Sequence, residues 1–321
     1  MDTAAPTVII DPVGDTNDTT PTISGSATGE PEGTVVTITV TDEAGNLQTI
    51  TTEVQADGTF SVDVPNELSE GEFTVEVSVT DNAGNETTAT TTGEVDTAAP
   101  TVIIDPVGDT NDTTPTISGS ATGEPEGTVV TITVTDEAGN LQTITTEVQA
   151  DGTFSVDVPN ELSEGEFTVE VSVTDNAGNE TTATTTGVID TAAPTLTIDP
   201  VGDTNDTTPT ISGSATGEPE GTVVTITVTD EAGNPQIITT EVQADGTFSV
   251  EVPNELSEGE FTVEVSVTDS AGNETTATTT GEVDTAAPTV VIDPVGDTND
   301  TTPLFQGLPR ASQRAQLLRS P

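Results

Sequence analysis

The chain has 321 residues, of which 57 are Asp or Glu and only three are Lys or Arg, for a formal net charge of −54. Phosphate contacts need cations, so this balance excludes ordinary nucleic-acid binding and opposes docking on an anionic membrane. Cys, His, Lys, Tyr and Trp are all missing, which removes disulfides and most catalytic side chains and leaves paired carboxylates without the aromatic platforms of sugar-cleaving sites. A non-enzymatic protein is expected.

The signature Asp-Thr-Ala-Ala-Pro begins at Asp2, Asp96, Asp190 and Asp284, a period of 94 residues. Self-similarity at a fixed period marks an array of one unit in series. The expected units are 1–95, 96–189 and 190–283, followed by a truncated fourth copy at 284–303. Copies differ at few places, among them Leu47 and Leu141, which become Pro235, Thr49 and Thr143, which become Ile237, and Asn82 and Asn176, which become Ser270. Met1 leads straight into the first copy without a charged segment and apolar core of the export type. No apolar run reaches the roughly 20 residues that a spanning helix needs. The expectation is a piece of a larger protein that lacks its own signal.

In chain order, the first copy alternates apolar residues with Thr, Ser and acidic residues over 7–11, 22–27, 35–41, 48–54, 59–64, 73–80 and 87–95. Period two is the strand pattern, and the Gly, Asn, Asp and Pro clusters between these runs supply turns. Seven short strands in about 94 residues predict an immunoglobulin-like β-sandwich, so the fold class is all-β, tandem seven-stranded sandwiches in a linear array. Val36, Ile38, Val40, Phe60, Val62, Phe73, Val75, Val77 and Val79 are the expected inward residues. Beyond Pro303 the repeat stops. All residues of 304–321 can be produced from one consistent set of repeat codons read one nucleotide out of register, and the next shifted codon can be a stop. This predicts a one-nucleotide loss at the Pro303 codon and a disordered tail, which carries the only basic residues, Arg310, Arg314 and Arg319.

The stretches VDTAAPTVIID (95–105), NDTTPTISGSATG (17–29), DGTFSVDVP (57–65) and FTVEVSVTDNAGNET (73–87) resemble the bacterial Ig-like repeats of giant secreted adhesins and biofilm-associated surface proteins. The resemblance covers 1–303. It implies a structural extender outside the cell, at the bacterial surface in the parent protein. It also implies calcium at domain junctions, with neighbouring repeats as partners, no membrane insertion and a monomeric chain. The anchoring, ligand-binding and secretion modules of that family are missing from this sequence.

Calcium takes six to eight oxygen ligands. Threading the chain through a seven-strand sandwich places the 42–46 and 67–72 loops at the pole where each copy exits, and the 81–85 turn at the pole where it begins. The candidate ligands at the first junction are then Asp42, Asp96 and Asp175, with Asp15 and Asp18 as further choices. Asp136, Asp190 and Asp269 serve the second, and Asp230 and Asp284 form half of a third. Two other readings stay open: a Thr-rich surface such as 87–92 that binds ice or carbohydrate, and a non-functional fragment of a frame-disrupted adhesin gene.

Overall fold

Val, Ile and Thr branch at Cβ, which suits them to extended backbone with one half-buried face. The computed structural model describes residues 5–291, and there this bias becomes strands in all three copies. Among the described residues no helix is long and apolar enough to cross a membrane.

In repeat 1 the strands are β1 (Thr7–Ile10), β2 (Gly14–Thr16), β3 (Thr22–Thr28), β4 (Val35–Thr41), β5 (Leu47–Glu53), β6 (Thr59–Asp63), β7 (Gly71–Thr80) and β8 (Glu86–Val95). One sheet has the order β1-β3-β6 and the other β2-β8-β7-β4-β5. Every pairing is antiparallel except β2 with β8, which run parallel through Gly14↔Gly93, Asp15↔Glu94 and Thr16↔Val95. The second repeat follows the same course from Thr101–Ile104 to Glu180–Ile189, and the third from Thr195–Ile198 to Glu274–Val283, in the same registers. Repeats 1 and 2 share the compact unit Met1–Asp190, and repeat 3 lies in the unit that follows.

The sandwich is the one the alternation predicts, with one refinement. The expected first strand is split in two. Pro12 has no N–H with which to continue a ladder, and Gly14 sits at φ 66, a conformation that costs glycine nothing. The chain therefore leaves the three-stranded sheet after Ile10 and joins the five-stranded sheet at Gly14.

Val36, Ile38, Val40, Phe60, Phe73, Val75, Val77 and Val79 are buried as expected, while Val62, on an edge strand, is half-buried. Val8, Ile23, Ala27, Val54, Val64, Leu68 and Val95 complete the core. Each large apolar side chain so buried stabilises the fold by about 1.5–3 kcal/mol. Phe60 lies against Gly25 and Phe73 against Gly93, and a Cβ on either glycine would stand 2.6 Å from the facing ring. Two glycines thus make room for the only two aromatic rings of the repeat. Pro235 falls at the first position of an edge strand, where proline is tolerated. Nothing in the structure explains Ile237, which is 73% exposed.

Candidate functional site

Strand pairing fixes the two poles of a repeat. Thr41 pairs with Thr74 and Gly71 with Val95, so the 42–46 turn, the 64–70 loop and the exit of β8 share one pole. Thr7 pairs with Thr28 and Thr80 with Glu86, which places the incoming chain, the 29–34 loop and the 81–85 turn at the other. A chain that enters at one pole and leaves at the other hands itself on to the next repeat.

At the exit pole of repeat 1 the linker is fastened as it leaves. The Asp96 N–H donates to Thr16 O (3.0 Å), and the Thr97 N–H and hydroxyl donate to the two Glu70 carboxylate oxygens (2.8 and 2.9 Å). Repeat 2 presents the 175–179 turn, where Asn179 donates its N–H and its amide to Asp175 (both 2.8 Å). Two hydrogen bonds cross the junction, from Asn17 N–H to Ala177 O (3.0 Å) and from the Asn179 amide to Asp96 O (2.7 Å).

Asp15 and Glu94 from repeat 1, Asp96 from the linker, and Glu124, Asp175 and Asn176 from repeat 2 line a cavity of about 120 Å³ between these ties. Burial pushes the Glu124 carboxyl above its ordinary value, and the negative charges of Asp175 and then Asp96 push it further; only the Thr128 hydroxyl opposes them. Burial also works against ionisation of Asp175, but the Asn179 amide and the N–H groups of Asn179, Gly178 and Ala177 outweigh it and hold that carboxyl low. One acid of the cavity is therefore a firm anion, and its neighbour in the same repeat resists becoming one.

The structure distributes the candidate ligands unevenly. Asp96, Asp175 and Asp15 reach the same cavity. Asp42 and Asp18 do not line it. The Asp42 carboxylate, 5% exposed, accepts from the Asn46 N–H (2.8 Å), the Asn46 amide (3.0 Å) and the Ser69 N–H (3.0 Å) within its own repeat. Asp136 is held the same way by Asn140 and Ser163, and Asp230 by Asn234. Asp18 caps a turn by accepting from Thr20. Asp269 repeats the Asp175 turn with Asn273. The Asp190 and Asp284 N–H groups close on Thr110 O and Thr204 O as Asp96 does on Thr16 O.

Glu94 and Glu124 escaped the threading. Glu94 alternates outward beside Val95, and Glu124 sits in the loop after the strand Thr116–Thr122, which the pairing of Thr122 with Thr101 places at the incoming pole. The donors of the cavity are oxygens alone, the set that hard divalent cations prefer. Among the described residues no three acidic side chains converge closely enough to hold an ion as they stand, so coordination would require these side chains to swing inward.

Three stretches, 12–97, 107–191 and 201–285, match the family described as Bacterial Ig-like domain. The chain belongs to that family. Among solved structures, its Ig-like repeats are similar to a tetra-tandem repeat in the extending region of a large adhesion protein, at 34% identity over 90% of this chain and 76% of that one, with a TM-score of 0.33. A second similar structure concerns host cell surface retention of a 1.5-MDa bacterial ice-binding adhesin (26% identity, 88% of this chain and 100% of that one, TM-score 0.34). A third is a Ca²⁺-stabilized adhesin that helps an Antarctic bacterium reach out and bind ice (28% identity, 91% and 78%, TM-score 0.35). No curated protein sequence matches the chain.

Proposed function

We propose that these repeats are a structural extender of a bacterial cell-surface adhesin, stiffened by calcium between neighbouring repeats in support of cell adhesion or biofilm formation. The observation that carries this reading is the cavity in which Asp15 and Glu94 of repeat 1 and Asp96 of the linker meet Glu124 and Asp175 of repeat 2, where burial, then Asp175 and Asp96, raise the Glu124 carboxyl. Facing carboxylates repel and pry the two repeats apart, whereas a divalent ion between them cancels the repulsion and ties both to one point. Asp15, Glu94, Asp96, Glu124 and Asp175 would hold it. The sequence likeness to the extending region of a large adhesion protein supports the same role, and the placement of chain ends at opposite poles suits serial extension.

Titration of calcium into the full chain, followed by thermal melting and small-angle scattering, tests the proposal. An ion that binds only the folded junction stabilises it by about 2.7 kcal/mol at a hundredfold excess over Kd. The expected result is a rise in Tm with a more extended, narrower distribution of dimensions, weakened in Asp96→Asn/Asp175→Asn. Unchanged melting and dimensions at millimolar calcium would reject it.

One specific observation favours a second reading, a ligand-binding hydroxyl face. Thr51, Thr37, Ser78 and Thr88 form a row across four strands, and the next row holds Thr49, Thr39 and Thr90 around Glu76. Ice-growth inhibition or retention on a glycan array that survives chelation of calcium would favour this face over the extender role.

A further inference from the structure

The linker between repeats 1 and 2 is tied to both of them through a single residue. The Asp96 N–H donates back to Thr16 O of repeat 1 (3.0 Å), while the Asp96 carbonyl oxygen accepts from the Asn179 amide of repeat 2 (2.7 Å). The Asp96 carboxylate accepts from the Ala98 N–H (2.9 Å), so the bend that follows is pinned as well. Asn17, the residue after Thr16, donates its N–H to Ala177 O (3.0 Å). Two bonds therefore cross the junction, at separate points on the 175–179 turn. One bond would leave repeat 2 free to swing about it, whereas two fix a direction as well as a position. Gly178 lies between these points at φ 94, and the Asn17 amide nitrogen is 3.6 Å from the place a Cβ would occupy. The turn thus seats directly on Asn17.

We propose that Asn179 is the positioning residue of this interface, an amide latch that sets the orientation of repeat 2 on repeat 1 without a metal. An amide nitrogen carries two hydrogens. Asp175 Oδ2 accepts at 2.8 Å and Asp96 O at 2.7 Å, so the group that holds the turn together also grips the linker. The latch differs from the acid cavity beside it in kind. Its bonds across the junction, to Asp96 O and Ala177 O, join neutral groups, so salt that screens the carboxylates leaves them in place. Asn85 is the matching residue of repeat 1 and builds the same turn, donating its N–H (2.8 Å) and its amide (2.6 Å) to Asp81. The five residues of 81–85 and 175–179 are identical, yet the first turn stands at the incoming pole of repeat 1, away from this interface. The latch goes beyond the extender reading, since it acts with or without an ion and requires no role at a cell surface.

Pulsed electron resonance on the full chain tests it, with spin labels on Thr49→Cys and Thr143→Cys, exposed and equivalent positions in repeats 1 and 2. The chain has no cysteine of its own to interfere. The measurement is made in chelator and high salt, where repulsion between carboxylates is screened. The parent should give a narrow distance peak, and Asn179→Ala should lose it to a broad distribution. Asn17→Pro removes the other crossing donor, leaves the 175–179 turn whole and should broaden the peak as well. Asn85→Ala takes the same turn bonds from repeat 1 and should leave the peak as it is. An Asn179→Ala or Asn17→Pro peak as narrow as the parent's would overturn the latch, as would equal broadening by Asn85→Ala. Calcium is absent from every arm, so failure here leaves the calcium titration untouched, and a flat titration leaves the latch standing.

Discussion

Gly93→Ala should destabilise repeat 1 by about 3 kcal/mol, although it adds a single methyl group to a surface-length strand. Its Cβ would stand 2.6 Å from the Phe73 Cζ and 2.8 Å from Gly14 O. The ring is fully buried in the core, and the carbonyl belongs to β2, which pairs with β8, so neither can yield without disturbing the core or the ladder. Gly29→Ala is the matched control. Gly29, unlike Gly93, takes a conformation that disfavours side chains, at φ 96, but nothing lies within 4 Å of its Cβ position, and the cost is about 1–2 kcal/mol. The remaining two repeats keep their own cores, so the melting curve of Gly93→Ala should split, with one repeat unfolding early. Equal effects of Gly93→Ala and Gly29→Ala, read in urea or heat, would refute the packing argument.

Stability should peak near pH 4 and fall on both sides, a lower optimum than the usual range between pH 5 and 8. Two sets of carboxyls act in opposite directions. Exposed acids repel one another, and Glu124 is raised by burial and by Asp175 and Asp96. A carboxyl raised on folding binds its proton more tightly in the folded state, so the junction gains stability as pH falls toward the ordinary glutamate range. The turn aspartates behave oppositely. The Asn46 amide holds Asp42 at about 2 against an ordinary 3.8, with Ser69 assisting and burial opposing. Asn140 does the same for Asp136, also to about 2. The Thr59 hydroxyl lowers Asp57 and the Asn85 amide lowers Asp81. A group depressed on folding contributes stability above its unfolded value and loses it as pH falls through the folded one. Below about pH 4 these turns must take up protons, and the repeats should unfold cooperatively between about pH 4 and pH 2. Thermal melts across pH 2 to 7 check this, and a Tm that declines steadily from pH 7 downward would contradict it. Asp42→Asn should flatten the acid limb of repeat 1 while lowering its Tm at pH 7.

Much of this architecture can be read directly from residues. The alternation in 35–41 and 73–80 names the inner faces of β4 and β7, because a strand exposes every second side chain and a single buried face leaves no other register. The split first strand is half legible: Pro12 announces a break, but which sheet receives Gly14 depends on partners distant in sequence. The junction is less legible still. Asp42-Glu-Ala-Gly-Asn and Asp81-Asn-Ala-Gly-Asn are nearly the same five residues and fold into the same turn, Asp N–H to Asn O and Gly N–H to Asp O. What separates their roles is tertiary. Ser69 caps the far side of Asp42, whereas the Asp81 counterpart in repeat 2, Asp175, has the linker and Glu124 before it. Glu124 stays hidden because its loop reads as an ordinary turn until its pole is known.

The near-identity of registers in the three copies also creates a hazard during folding. The last strands of repeats 1 and 3 are identical and that of repeat 2 differs only at Val188 and Ile189, so each fits the penultimate strand of its neighbour nearly as well as its own, Val77 facing Ala89 as Val171 faces Ala183 and Val265 faces Ala277. Energy alone does not distinguish self from copy. Order of synthesis does: a repeat that closes before its successor emerges leaves no vacant partner for exchange. Fidelity in this chain thus comes from timing along the nascent polypeptide, a property that the finished sandwich does not record.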